Sequence, residues 1–343
     1  MAWLDRPSLP AGSALVSVIA TALDHDDLAL LRDADQTRVG GRFFVGAIEA
    51  LGAGVTEDAG GNRLRPGTPV LAPSVLRCGA CALCREPPAH ASLCLSPIRL
   101  GVDPGAGLSG GLAEAVFLPR AALHALPLTQ PPWVATLAEP LATALLACAR
   151  AQAIGRFAPG ASVVVLGQDA LSLMLVIAAG ELGAGRIVML GGPDTPFLRL
   201  ARLCGAEATI DATEVTDTDE RVAIIRETVG GRGADLVLAR NGVPAEGLAA
   251  LREGGALVTL GPGPIASGPL SAAQLAVLGS EGFQPADIPV ALRMLHRARG
   301  RYPLAEMHRR FPFSAEGVTA GLAAVERGET PRALVVHRPD LVG

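Results

Sequence analysis

Through the first 130 or so residues the apolar positions come in short runs cut by Gly and Pro. Val16-Ser-Val-Ile-Ala20, Phe44-Val-Gly-Ala-Ile-Glu49 and Pro69-Val-Leu-Ala72 are each bounded by turn residues, which predicts β-strands. From about Ala161 the texture changes. Val163-Val-Val-Leu166 is uninterrupted apolar sequence, the pattern of a parallel strand covered on both faces. The apolar stretch 171–182 is long enough for a helix, and Gly183 suits its C-terminal stop. Strands at 186–190, 208–211, 235–239 and 256–260 then alternate with helices at 197–204, 221–229 and 245–251. That alternation predicts a doubly wound parallel sheet. Beyond Pro303 the texture is mixed again and closes on Ala333-Leu-Val-Val-His337, a strand expected to rejoin the first domain.

Length and charge narrow the class. At 343 residues and 50% hydrophobic content, about two domains with a large core are expected. A net charge of -4 gives no general drive toward nucleic acid or anionic lipid, and neither is expected as a partner. All 29 basic residues are Arg. The absence of Lys excludes Schiff-base chemistry, a Walker phosphate loop and the Tyr/Lys pair of short-chain reductases. The first residues show no charged stretch followed by an apolar core, and no uninterrupted apolar run of about 18 residues occurs. A cytoplasmic protein without a membrane span is expected.

Of six Cys, four fall at Cys78, Cys81, Cys84 and Cys94, spaced C-x2-C-x2-C-x9-C. Four clustered thiolates suit a closed tetrahedral zinc site, which holds a loop together and leaves no open position for chemistry. His90, inside the long last gap, is expected to be a surface residue. Cys148 and Cys204 sit in apolar helical sequence and read as core thiols, while His124, His296, His308 and His337 lack ligand spacing. The Arg cluster 297–310 reads as a solvated face.

The order of these pieces resembles the medium-chain dehydrogenases, in the zinc-type alcohol and polyol dehydrogenase branch. The likeness is carried by Phe44-Val-Gly-Ala-Ile-Glu-Ala-Leu-Gly-Ala-Gly-Val55, the Cys78-Gly-Ala-Cys-Ala-Leu-Cys84 lobe, Gly110-Gly-Leu-Ala-Glu114, Ala138-Glu-Pro-Leu-Ala142 and Gly254-Gly-Ala-Leu-Val-Thr-Leu-Gly261. The resemblance implies an α/β fold: a GroES-like β-rich domain at 1–150 with a structural zinc lobe at 76–96, a Rossmann domain at 151–290, and a return at 291–343 that completes the first domain. It also implies a small-molecule substrate and, by analogy, a homodimer.

The same resemblance exposes two departures. Where the family has a Cys zinc ligand, this chain has Asp24, with Asp26 in the place of its proton-relay hydroxyl and Asp27 in agreement. Arg42 and Phe43 replace the His-Glu pair, and Glu139 alone survives as an oxygen ligand. A guanidinium has donors and no lone pair, so no catalytic zinc is expected. Arg42 is expected to lie between Asp24 and Glu139, polarising a substrate oxygen while His25 or Asp26 moves a proton. The glycine loop is reduced to Gly167-Gln-Asp169-Ala-Leu-Ser172, and Gly191-Gly192 stands where the ribose-binding acid would be. Asp169 is expected to cap the following helix. Its charge is expected to repel a phosphate by about 4 kcal/mol at about 4 Å and an effective dielectric of about 20. Asn241 and Gly242 still match the turn beside the nicotinamide. NAD(P) is therefore expected to bind weakly or not at all. Two functions remain: a zinc-independent oxidoreductase of small alcohols or carbonyls, or a cofactor-free descendant acting as a non-redox catalyst through Arg42 or as a scaffold.

Overall fold

The computed structural model describes residues 8–32, 39–85, 91–103, 110–127, 129–193, 196–240, 244–265 and 267–342. Two compact units form, one from Met1–Glu139 with Gln284–Gly343 and one from Pro140–Phe283. The chain leaves the first unit two residues into a helix, after Glu139 and not at 150, and re-enters it at 284 instead of 291.

The first unit opens with β1 (Ser13–Leu23), α1 (His25–Arg32), β2 (Phe43–Leu51), β3 (Pro69–Ala72) and β4 (Val75–Leu76). It continues through α2 (Ala82–Arg85), β5 (Ile98–Arg99), β6 (Ala115–Pro119), β7 (His124–Ala125) and the start of α3 (Ala138–Ala153). β1 is the hub. It runs antiparallel to β2, to β6 and to the C-terminal strand β15 (Arg332–Val336), and so reaches 11 residues where the alternating core of the pattern shows five. The core gathers Val16, Val18, Phe44, Ile48, Val70, Val116 and Leu118, all nearly inaccessible.

In the second unit the strands are β8 (Ser162–Leu166), β9 (Arg186–Gly191), β10 (Ala208–Asp211), β11 (Ala234–Ala239), β12 (Leu251–Thr259) and β13 (Ala276–Gly279). They form one sheet in the order β10-β9-β8-β11-β12-β13, every pair parallel. The crossovers are α4 (Ala170–Glu181), α5 (Pro196–Leu203), α6 (Thr218–Thr228), α7 (Pro244–Ala250) and α8 (Gly268–Ala272). α6 starts three residues before the pattern suggests, because Asp217 accepts the Glu220 N–H at 2.8 Å and caps it. Strand order reverses between β8 and β11, where sheets of this kind take ligands.

The first unit is completed by α9 (Asp287–Ala298), β14 (His308–Pro312), α10 (Ala315–Glu326), β15 (Arg332–Val336) and α11 (Pro339–Val342). Among the described residues one stretch, Pro132–Ala153, is long and apolar enough to cross a membrane. Its most apolar window is 61% buried inside the protein, which is the environment of a core helix.

Two histidines of this unit are held neutral. Burial, then the Arg332 charge, lowers His308 to about 3, and burial lowers His337 to about 4. A histidine whose folded pKa lies below 6.5 supports the fold above that value and withdraws its support as pH falls. Each ring is thus expected to cost about 1.4 kcal/mol of stability per pH unit below about 6. Denaturant titration of His308→Gln and His337→Gln between pH 7 and 5 checks this. A slope unchanged from the parent would show that the rings titrate normally.

Candidate active site

Strand register brings the central charges together. Gly41, at φ +92°, approaches Leu112 N and Thr21 Cγ2 so closely that a Cβ would meet each at 2.8 Å, so glycine is required just before Arg42. Arg42 leads directly into β2, whose Phe43 pairs with Ala22 of β1. On the other edge of β1, Leu23 pairs with Ala333 of β15, which sets Arg332 opposite Asp24.

Arg42 is clamped by two carboxylates. Its Nη2 donates to Asp24 Oδ1 at 2.8 Å and its Nε to Asp27 Oδ1 at 2.8 Å. The Asp24 N–H donates to Asp27 Oδ2 at 2.9 Å and closes the ring. Arg332 is fully buried, with Nη1 donating to Thr136 O at 2.6 Å and Nη2 3.6 Å from Asp24 Oδ2. Its Nε and Nη2 have no hydrogen-bond partner among the described residues. Both guanidiniums lie over the Phe43 ring, with Cζ 4.7 Å and 4.4 Å from its centroid, a favourable cation–π geometry.

The carboxylates diverge in acidity. Burial alone would raise Asp24, but the charges of Arg42 and Arg332 outweigh it and its pKa falls below 3.8. Burial, then the neighbouring Asp24 charge, pushes Asp27 up to about 6 against the pull of Arg42. The pair therefore holds one proton up to about pH 6. Because its folded value is raised, Asp27 favours the fold below about pH 4, and that contribution is lost as pH climbs through 6. A carboxyl carbon resonance titrating near pH 6, absent in Asp27→Asn, is expected. A midpoint near 3.8 would contradict the burial argument.

Glu139 corrects the expectation that it forms the second jaw on Arg42. Its oxygens accept from Ser74 N at 2.7 Å and Ser74 Oγ at 2.5 Å, and it has no ion pair among the described residues. Burial raises its pKa despite those two bonds. Asp27 takes the jaw because it lies in the first turn of α1, three residues past Asp24, whose N–H it accepts. His25 and Asp26 are exposed on that first turn.

In the lobe, the Sγ atoms of Cys78, Cys81, Cys84 and Cys94 all lie within 4.8 Å of one another. Cys78 Sγ accepts from Ala80 N at 3.4 Å and Cys81 N at 3.3 Å, and Cys94 Sγ accepts from Cys78 N at 3.4 Å. Zinc–sulfur bonds of about 2.3 Å need sulfurs roughly 3.8 Å apart, so the cluster fits a tetrahedral ion with small adjustments. His90 falls outside the described residues.

In the second unit, Asp169 caps α4. Its Oδ1 accepts from Ser172 N at 2.8 Å and from Ser172 Oγ at 2.7 Å, and Ser172 Oγ in turn accepts from the Asp169 N–H at 3.5 Å, completing a capping box. β8 and β11 pair at Leu166 and Ala239, so Arg240 emerges beside Gly167 and its Nε donates to Asp169 Oδ2 at 2.8 Å. This corrects the expected repulsion of a phosphate: the charge of Asp169 is countered by Arg240. Gln168 Oε1 accepts from Gly192 N at 2.8 Å. A Cβ on Gly167 would meet Ser172 Oγ at 2.4 Å and Arg240 O at 2.5 Å, so this glycine is obligatory. Asn241 lies outside the described residues.

Residues 10–128 match the alcohol dehydrogenase GroES-like domain. The chain is 31% identical over 303 residues, 84% of this chain and 80% of the other, to 5-exo-hydroxycamphor dehydrogenase of Pseudomonas putida. It is 29% identical over 259 residues, 73% of this chain and 69% of the other, to L-threonine 3-dehydrogenase of Bacillus velezensis. An alcohol dehydrogenase of Thermus sp. ATN1 superposes with TM-score 0.83 at 28% identity, covering 98% of this chain and 96% of that one. The chain belongs to the medium-chain dehydrogenases. Within them it falls in the zinc-type alcohol and polyol dehydrogenase branch, an oxidoreductase family that uses zinc and NAD(P).

Against that family, sequence reasoning missed four partners: Asp27 as a jaw, Arg332 as the second guanidinium, Ser74 on Glu139, and Arg240 on Asp169. One signal was available for Arg332. It opens the last strand, which the pattern already returned to the first domain.

Proposed function

We propose that this protein is an alcohol dehydrogenase-like oxidoreductase that acts without a catalytic zinc on a small alcohol or carbonyl compound. The carrying observation is the Arg42 guanidinium fixed between Asp24 and Asp27. A metal ion is at odds with this donor set. Arg42 and Phe43 offer no lone pair, Glu139 is turned to Ser74, and the fixed guanidinium charge opposes a cation.

Arg42 does part of the metal's work in this reading. Two of its nitrogens are held by the carboxylates, and Nη1 remains to donate to a substrate oxygen. Arg332, with buried unsatisfied donors beside Asp24, adds positive potential to the same place. Together they stabilise charge developing on that oxygen. Asp27 stores a proton at about 6, and His25 and Asp26, exposed on the first turn of α1, connect it to solvent. Cys78, Cys81, Cys84 and Cys94 hold one structural zinc in this reading. The reading also makes the protein a cytoplasmic homodimer with a small-molecule substrate and no nucleic-acid or membrane partner, in keeping with the family and the net charge of -4.

Turnover of secondary alcohols by the purified protein with millimolar NAD+ or NADP+ as the hydride acceptor, before and after treatment with a zinc chelator that spares the thiolate lobe, tests the proposal. Unchanged activity is expected, with Arg42→Lys lowering kcat by about a hundredfold and KM moving little. Chelator-sensitive turnover restored by added zinc would overturn it.

A further inference from the structure

The α4 N-terminus stands at the turn where this fold receives a dinucleotide's pyrophosphate, and a negative group there meets free N–H donors and the positive end of the helix. In this chain one of those N–H donors, and the cation beside them, already have a ligand. Asp169 Oδ1 takes the Ser172 N–H and hydroxyl, and Oδ2 takes Arg240 Nε. Next to it Gln168 takes the Gly192 N–H at the end of β9, where a ribose would be held. The residues present do not accept a pyrophosphate in this arrangement.

We infer that Asp169 is an internal substitute for the cofactor phosphate, and that Arg240 is its exchangeable counter-charge. A dinucleotide binds only by displacing the carboxylate from α4, and Arg240 then passes from carboxylate to phosphate. Simple charge repulsion is not the obstacle, since Arg240 already neutralises Asp169. The obstacle is competition: an intramolecular carboxylate holds the Ser172 N–H, the Ser172 hydroxyl and Arg240 Nε at high effective concentration. Wild-type affinity for the cofactor is thereby held down by the chain itself. The inference rests on reading the protein as an oxidoreductase that takes a pyridine dinucleotide, and it names the residues that limit that step.

Calorimetry with NADH and with NADPH separates the two ideas. Wild type is expected to bind only at millimolar concentrations. Asp169→Gly, which removes the competitor and leaves a glycine as close phosphate approach requires, is expected to bind at least tenfold more tightly. Asp169→Asn keeps a capping side chain while releasing Arg240, so it controls for loss of the helix cap and is expected to gain affinity as well. Arg240→Gln added to Asp169→Gly should remove most of the gain, because the phosphate then has no cation to receive it. Equal micromolar binding by wild type and both Asp169 variants would overturn the substitution and leave the oxidoreductase reading intact. Absence of any gain in variants that melt as folded proteins would also overturn it. Tighter binding without turnover of any alcohol would uphold the substitution and count against the oxidoreductase reading.

Discussion

Arg42→Ala is expected to destabilise the protein by about 3–5 kcal/mol, because it strands two enclosed carboxylates. Asp27 is 1% exposed, and the cation left to Asp24 would be the more distant Arg332, at 3.6 Å. The variant leaves Asp27 facing Asp24 with no cation in hydrogen-bond contact, so its pKa must rise beyond the present value of about 6. Protonation then relieves part of the loss. The destabilisation should be larger at pH 8 than at pH 5, the opposite of what simple removal of a surface cation gives. Arg42→Lys should recover part of the difference, since an ammonium supplies the charge without the two-pronged geometry. Urea unfolding of the three proteins at both pH values measures all of this. A change below about 1 kcal/mol at pH 8 would mean that the network does not hold the site together.

Much of the fold was readable because its signals are local. Val163-Val-Val-Leu166 could only be a strand covered on both faces, and Asp169 with Ser172 three residues later spells out a helix start. The four thiols carried their own spacing. What could not be read were the pairings made by register between distant strands. Nothing near Arg332 announces that it faces Asp24. The contact exists because β15 returns antiparallel to β1 with Ala333 against Leu23. Arg240 likewise reaches Asp169 only because β11 lies beside β8 in a sheet whose order reverses there.

Glu139 shows the limit from another side. Its position in the sequence suggested a partner for Arg42, and its charge would have suited one. A neighbouring N–H and hydroxyl on Ser74 satisfy both of its oxygens at 2.7 Å and 2.5 Å, which costs less than bringing a second long side chain to it. Charge complementarity alone did not decide the pairing. Local donors did.

Zinc analysis is expected to give one ion per chain, all of it in the lobe. Each of the four Sγ atoms lies within 4.8 Å of the others, and backbone N–H groups of Ala80, Cys81 and Cys78 already point at two of them. Such N–H contacts favour thiolate over thiol and set the sulfurs to converge on one centre. Closed four-cysteine sites bind zinc with apparent free energies of about 10–16 kcal/mol near pH 7. Losing one ligand should therefore empty the site. Cys81→Ser is expected to abolish zinc binding, and amide exchange should accelerate through 78–94 while the strand β1 keeps its protection. The effect should also be steep in acid, because binding requires thiolates and their protonation competes with the ion. The stoichiometry carries a second consequence. A lobe site and an active site would together give two zinc ions per chain, whereas Arg42 between Asp24 and Asp27 leaves room for a charge that is already there. Two ions in the parent, with one retained in Cys81→Ser, would place a metal beside Arg42 and refute the zinc-free site. None in the parent under reducing conditions would refute the lobe.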